Sequence, residues 1–351
     1  MEGAINPKKL YEQVANSPNH ALSMNLLITL AGLFLLLAGG EGLVRGAVGV
    51  ARRMRISPFI VGLTIVGFGT SAPELVVSVD AALAGSPGIA VGNVIGSNMA
   101  NMMLIVGAAA LISPLAVHPD ALRRDSVVMI GATMLFVAVA FSGTMARPVG
   151  VGFVCTLFLY LAFSLWWDSR QAGPAAMRHG DEATEISVVL PKRLWLLIMA
   201  IIVGLVALAA GSRLAVTGAT AMARYAGISE EIIGITLVAI GTSLPELATA
   251  IMAAKRGHAD VCIGNVIGSN IFNLLGIAGA AAMVTPLSFK LDIITYDLWA
   301  LPAITVIFIA FMMTGRRVER AEGAGLLVLY AVYITHHLLP GGLITAITSG
   351  P

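Results

Sequence analysis

One stretch of this chain occurs twice. The first copy reads Gly67-Phe68-Gly69-Thr70-Ser71-Ala72-Pro73-Glu74-Leu75, then Gly92-Asn93-Val94-Ile95-Gly96-Ser97-Asn98, then Asn101. The second reads Ala239-Ile240-Gly241-Thr242-Ser243-Leu244-Pro245-Glu246-Leu247, then Gly264-Asn265-Val266-Ile267-Gly268-Ser269-Asn270, then Asn273. Every pair is 172 residues apart (246 − 74, 269 − 97, 273 − 101), so the copies align without a gap. Each copy sets one glutamate, several hydroxyls and asparagines into otherwise apolar sequence. A carboxylate in such surroundings is costly to bury and marks function by default.

Of the 351 residues, 58% are hydrophobic and 11% charged. With a mean hydropathy of +0.90, the chain lies outside the range of soluble domains. A net charge of +2 gives no footing for a nucleic-acid partner. Cys155 and Cys262 sit in apolar runs without metal-ligand spacing and read as packing residues. An integral membrane protein follows. Residues 1–24 are polar, with Pro7, Lys8, Lys9 and Pro18. They lack the apolar core of a signal peptide and are expected to form an extracytoplasmic extension.

A membrane-crossing helix needs about 20 mostly apolar residues. On that measure the fold class is all-α, with ten transmembrane helices near 25–50, 58–84, 89–112, 124–143, 148–167, 194–222, 230–254, 260–284, 296–314 and 322–340. The hydrophilic break at 168–193 divides the chain into units 25–167 and 194–340, with 341–351 as a C-terminal tail. Five spans is an odd number, so the second copy enters from the opposite side. The expected architecture is two inverted-topology five-helix repeats related by an axis in the membrane plane. Matches outside the motifs agree: Gly39 and Gly46 with Gly211 and Gly218, Asp120 and Asp125 with Asp292 and Asp297. Loops after odd-numbered spans carry fourteen lysines and arginines, among them Arg52, Arg123, Arg170, Arg256 and Arg316, against five on the other face. The positive-inside rule places those loops, 168–193 included, in the cytoplasm and both termini outside. The expected setting is the lipid bilayer of the cell (inner) membrane.

Pro73 and Pro245 fall inside spans. Proline lacks an amide hydrogen and clashes with the carbonyl four residues earlier, here Gly69 and Gly241. Such breaks survive in membranes where they line a cavity or are buried in protein. Glu74 and Glu246 follow directly, so carboxylate, hydroxyls and released carbonyls converge at each break. Calcium and other hard cations favour that all-oxygen set. Hydroxyl back-bonding and proline kinks are ordinary in membrane helices, and they explain a single motif. They give no reason for two glutamates, each costing about 2.5–3.5 kcal/mol at the bilayer centre.

Gly92/Gly96 and Gly264/Gly268 make G-x-x-x-G spacing, which permits close helix approach and brings Ser97, Asn101, Ser269 and Asn273 toward the breaks. Asn93, Asn98, Asn265 and Asn270 either bind ions or satisfy backbone groups freed there. Asp80 has Met252 opposite it in the repeat and reads as a solvated or capping charge. Glu41 and Arg45 form an i, i+4 pair. The six histidines lie outside the repeated core. Ser71 and Ser243 therefore have no base to make them nucleophiles, which argues against an enzyme. A passive channel with a polar filter is the competing class.

The doubled G-T-S-x-P-E and G-N-V-I-G-S-N motifs closely resemble the sodium/calcium exchanger family of the cation/calcium exchanger superfamily, its prokaryotic members in particular. The resemblance implies antiport by alternating access, calcium leaving against sodium, with inorganic cations as cargo and no cofactor. Carried over by position, it assigns as ion ligands Thr70, Ser71, Glu74 and the Gly67 carbonyl, with Thr242, Ser243, Glu246 and the Ala239 carbonyl. Ser97, Asn101 and Ser269 complete the set. Well-understood exchangers carry an aspartate where this chain has Asn273. Two carboxylates then remain, enough to neutralise one calcium or two sodium ions. Gly96 and Gly268 stand where the proton/calcium branch has glutamate, which argues against that branch. An exchanger of the same fold coupled to protons, or carrying another cation, stays open.

Overall fold

The structure is a computed structural model that describes residues 18–54, 56–117, 119–171, 193–227, 239–289 and 291–338. Helix α1 runs Pro18–Met54. The next span is broken: α2 (Pro58–Thr70) and α3 (Ala72–Leu83) meet at an angle of 44°. Then come α4 (Pro87–Ile112), α5 (Pro119–Phe141) and α6 (Arg147–Gln171). The second half holds α7 (Leu194–Tyr225), α8 (Ala239–Thr242) and α9 (Leu244–Lys255). It ends with α10 (Ala259–Val284), α11 (Leu291–Met313) and α12 (Arg320–Leu338).

Among the described residues, seven helices are long and apolar enough to cross a membrane, and the bent α2–α3 pair makes an eighth. Of the ten expected spans, the one at 230–254 begins outside the described residues and continues as α8 and α9. The tenth corresponds to α12. Residues 1–17, most of the 168–193 linker and the tail from 339 also lie outside the described residues. Helix α1 is described from Pro18, so residues expected in the 1–24 extension are helical from there on. Helix α6 extends through Asp168 to Gln171, past the start expected for the linker, and the Asp168 carboxylate accepts the Ser57 N–H at 3.0 Å.

Four two-residue strands depart from the all-helical expectation. Strand β1 (Leu115–Ala116) pairs antiparallel with β4 (Arg317–Val318), and β2 (Thr144–Met145) pairs antiparallel with β3 (Leu287–Ser288). Each ribbon ties the loop after the third span of one half to the loop between the fourth and fifth of the other. It satisfies backbone groups that helix ends leave open.

The two long helices α1 and α7 share a seam of glycines. A Cβ at Gly32 would lie 2.7 Å from the Gly211 carbonyl, at Gly39 2.8 Å from that of Gly204, at Gly46 2.9 Å from that of Leu197, and at Gly218 2.6 Å from that of Asn25. Partners ascend on one helix as they descend on the other, so α1 and α7 are antiparallel. Contacts recur every seven residues, and only hydrogen side chains allow such backbone approach. Around the periphery large apolar side chains point outward, among them Leu27, Phe34, Leu159, Val206 and Trp299, which is the arrangement of a multi-pass membrane protein. The buried interior is formed chiefly by α4 and α10.

Candidate functional site

Both repeated motifs sit at breaks. Ser71 (φ −82°, ψ 6°) and Ser243 (φ −89°, ψ 4°) leave helical geometry, and the following helices restart with Pro73 and Pro245 in their first turns. Glu74 and Glu246 therefore stand in the first turns of α3 and α9, where unpaired N–H groups and the helix dipole favour negative charge. Their residual exposures are 1% and 2%. The carbonyl of Gly241, which Pro245 cannot serve, accepts instead from Ser212 Oγ at 2.5 Å. The repeat offset puts Gly40 where a matching hydroxyl would serve Gly69.

The halves then cross. Ser71 Oγ donates to Glu246 Oε1 at 2.9 Å, and Ser243 Oγ donates to Glu74 Oε1 at 3.3 Å. The threonine before each serine keeps the same company, and the Thr70 hydroxyl lies within 3.0 Å of the Val66 carbonyl oxygen as a back-bond to its own helix. Each carboxylate is thus held by the opposite repeat. Both Oε2 atoms are buried and accept nothing. A buried carboxylate oxygen without a donor needs an explanation, and here two face one interior.

The flanking helices add oxygens. Ser269 Oγ donates to the Gly67 carbonyl at 3.2 Å, and Thr70 Oγ1 to Asn265 Oδ1 at 3.3 Å. These bonds require α2 to press on α10: a Cβ at Gly264 would lie 2.3 Å from the Phe59 carbonyl oxygen, and one at Gly268 2.1 Å from that of Leu63. The second G-x-x-x-G is therefore a close approach. Gly92 and Gly96 meet no described residue within 4 Å.

Asn101 and Asn273 are fully buried, and neither side-chain amide has any hydrogen-bond partner. Both lie in π-helical turns, Ala100–Ile105 and Phe272–Ile277. Such turns recur at functional sites, and no sequence signal marked them. Ser97 is buried on α4 one turn before Asn101, with no hydrogen bond to the glutamates. Ala239 opens α8. Of the four asparagines left open by the sequence, Asn93 serves structure, donating to the Glu74 carbonyl and Ser78 Oγ. Asn98 donates to the Val94 carbonyl, Asn265 receives Thr70, and Asn270 is buried without a partner.

The two breaks are not equally covered. Val76 on α3 is 57% exposed, while its counterpart Ala248 on α9 is 6% exposed. Helix α1 makes the difference: a Cβ at Gly40 would lie 3.1 Å from the Ala248 carbonyl. Next to that contact Glu41 pairs with Arg45, as expected, and also with Arg256 at the end of α9. Spacing within one helix revealed the first partner; the second needed the tertiary fold. Asp80 is exposed, as expected for a solvated charge.

Fold and site define a polytopic membrane protein in which two sequence repeats share a buried cluster of carboxylates and hydroxyls. The profile of the family described as sodium/calcium exchanger protein matches residues 24–166 and again 196–339, two segments that begin 172 residues apart (196 − 24). The chain belongs to that family. It is 32% identical to the sodium/calcium exchanger MaX1 of Methanosarcina acetivorans, over 89% of this chain and 98% of that protein. It is 35% identical to the inner membrane protein YrbG of Escherichia coli, over 86% and 92% of the two chains. Among solved structures, the sodium-calcium exchanger NCX_Mj soaked with sodium and strontium superposes with a TM-score of 0.76 at 29% identity, covering 89% of this chain and 98% of that one.

Proposed function

We propose that the chain is a secondary antiporter that exchanges calcium for sodium across the cell membrane by alternating access. The observation that carries this reading is the reciprocal bonding of Ser71 to Glu246 and Ser243 to Glu74, with both Oε2 atoms left unpartnered. A cation between the glutamates binds both repeats at once, so its arrival and departure couple to any relative motion of the halves. Thr70, Ser71, Thr242, Ser243, Ser269, Ser97, Asn101, Asn273 and the carbonyls of Gly67 and Ala239 supply the remaining oxygens, the hard set calcium and sodium prefer.

The antiparallel seam between α1 and α7, equivalent helices in the repeat, supports the inverted topology. The expected ten spans accord with that topology, and the cytoplasmic placement of the 168–193 linker and the external termini rest on the excess of lysine and arginine in the odd-numbered loops. In that orientation α9 is the cytoplasmic half of its span and α3 the extracytoplasmic half. Cover over α9 and exposure of α3 then describe a state open to the outside, held shut inside by α1 and the Glu41–Arg256 pair.

Calcium uptake into proteoliposomes loaded with sodium tests the reading. Uptake should require the outward sodium gradient and vanish in Glu74→Gln. Uptake that follows a proton gradient and ignores sodium would establish the proton-coupled reading instead. Flux with no dependence on the opposite ion would establish a channel.

A further inference from the structure

We propose that the cycle exchanges two sodium ions for one calcium and moves no net charge, because the described residues bring two carboxylates, Glu74 and Glu246, to the shared site. The inference rests on the exchanger reading above. At the two pseudo-equivalent positions on the π-helical turns of α4 and α10 stand Asn101 and Asn273. Both are buried, with all four side-chain polar atoms lacking a partner. Their amides offer carbonyl oxygens to a cation and contribute no charge.

Among the described residues, no cluster of three or more acidic, histidine or cysteine side chains surrounds the site. Other shielded carboxylates among the described residues have partners of their own. Glu41 pairs with Arg45 and Arg256, Asp125 with Arg124 and Tyr160, and Asp297 with Tyr333 and His337. Among the described residues, the charge available to bound cations is therefore that of Glu74 and Glu246. One calcium or two sodium ions bring the cavity to neutrality. A third sodium would leave an uncompensated positive charge in a buried site, which is strongly disfavoured.

The test follows equilibrium calcium distribution in proteoliposomes of the full chain, with membrane potential clamped by valinomycin and potassium. A tenfold sodium gradient should support about a 100-fold calcium gradient, and a tenfold potassium gradient of either sign should leave it unchanged. A calcium gradient of about 1000-fold, shifting about tenfold with the potassium gradient, would overturn the two-for-one cycle and leave exchange standing. No sodium-dependent calcium movement would overturn both. Asn273→Asp supplies a second readout, since a third carboxylate should make transport sensitive to the potassium gradient. A transporting Asn273→Asp protein that stays insensitive would show that charge count does not set the coupling. If that variant fails to fold, the wild-type distribution decides alone.

Discussion

Substituting Gly268 by alanine should disable the site through geometry alone. The new Cβ would stand 2.1 Å from the Leu63 carbonyl oxygen and 2.7 Å from the carbonyl carbon, all backbone atoms that cannot rotate away. Contacts under 3.0 Å essentially do not occur at a real Cβ, so α10 and α2 must part by at least 0.9 Å (3.0 − 2.1). The Ser269–Gly67 and Thr70–Asn265 bonds, now 3.2 and 3.3 Å, would then exceed hydrogen-bonding distance. Two buried bonds at about 1 kcal/mol each, plus overpacking of about 1–3 kcal/mol, total about 3–5 kcal/mol. Ligands displaced by about 1 Å should slow transport on the order of 100-fold. Thermal unfolding in detergent and sodium-driven calcium uptake read the two effects. Gly131→Ala on α5 is the control, because a Cβ there meets nothing within 4 Å; its stability should be unchanged or up by about 0.5–1 kcal/mol. Wild-type melting and flux in Gly268→Ala would refute the close approach.

Three further outcomes are expected. Ser71→Ala removes a hydroxyl donor to Glu246 and Ser243→Ala one to Glu74; each should weaken calcium binding by roughly 10- to 150-fold, a charge-assisted bond being worth about 1.5–3 kcal/mol, as measured by calorimetry. In a Cys155→Ser background, Val76→Cys should react with an impermeant maleimide and Ala248→Cys should resist it, and adding Arg256→Gln, which cuts the α1–α9 ion pair, should raise the reactivity of Ala248→Cys. His258, in the loop before α10, has its pKa lowered below 6.5 by burial and then by Arg52 and Arg256. The unfolded chain therefore binds its proton more tightly, so stability should fall as pH drops through about 6.5. His258→Gln should flatten that part of the melting-pH curve.

Much of this molecule is legible in its sequence because the bilayer permits few solutions. Length and hydropathy locate most of the described helices, although α1 runs from seven residues before its expected span (25 − 18), and the 172-residue offset pairs Glu74 with Glu246 in the sequence itself. Prolines at the breaks mark where the chain leaves helical geometry, although the turning residues are Ser71 and Ser243, two positions earlier. What stays hidden is contact between segments. Nothing in the motif says that Ser71 serves the other repeat's glutamate, or that Arg256 joins Glu41. The π-helical turns at Asn101 and Asn273 depend on how surrounding helices pack, and the ribbons are two residues long, too short for an alternating pattern. The glycine seam was half visible: Gly39, Gly46, Gly211 and Gly218 matched as repeats, but their direct contact appears only once α1 lies against α7.

Equilibrium binding of radioactive calcium to the purified protein tests most directly whether the two glutamates form one shared site. One calcium per chain is expected, displaced by sodium, with Glu74→Gln and Glu246→Gln each abolishing binding. Two calcium ions per chain, or half the binding retained in each single variant, would contradict it.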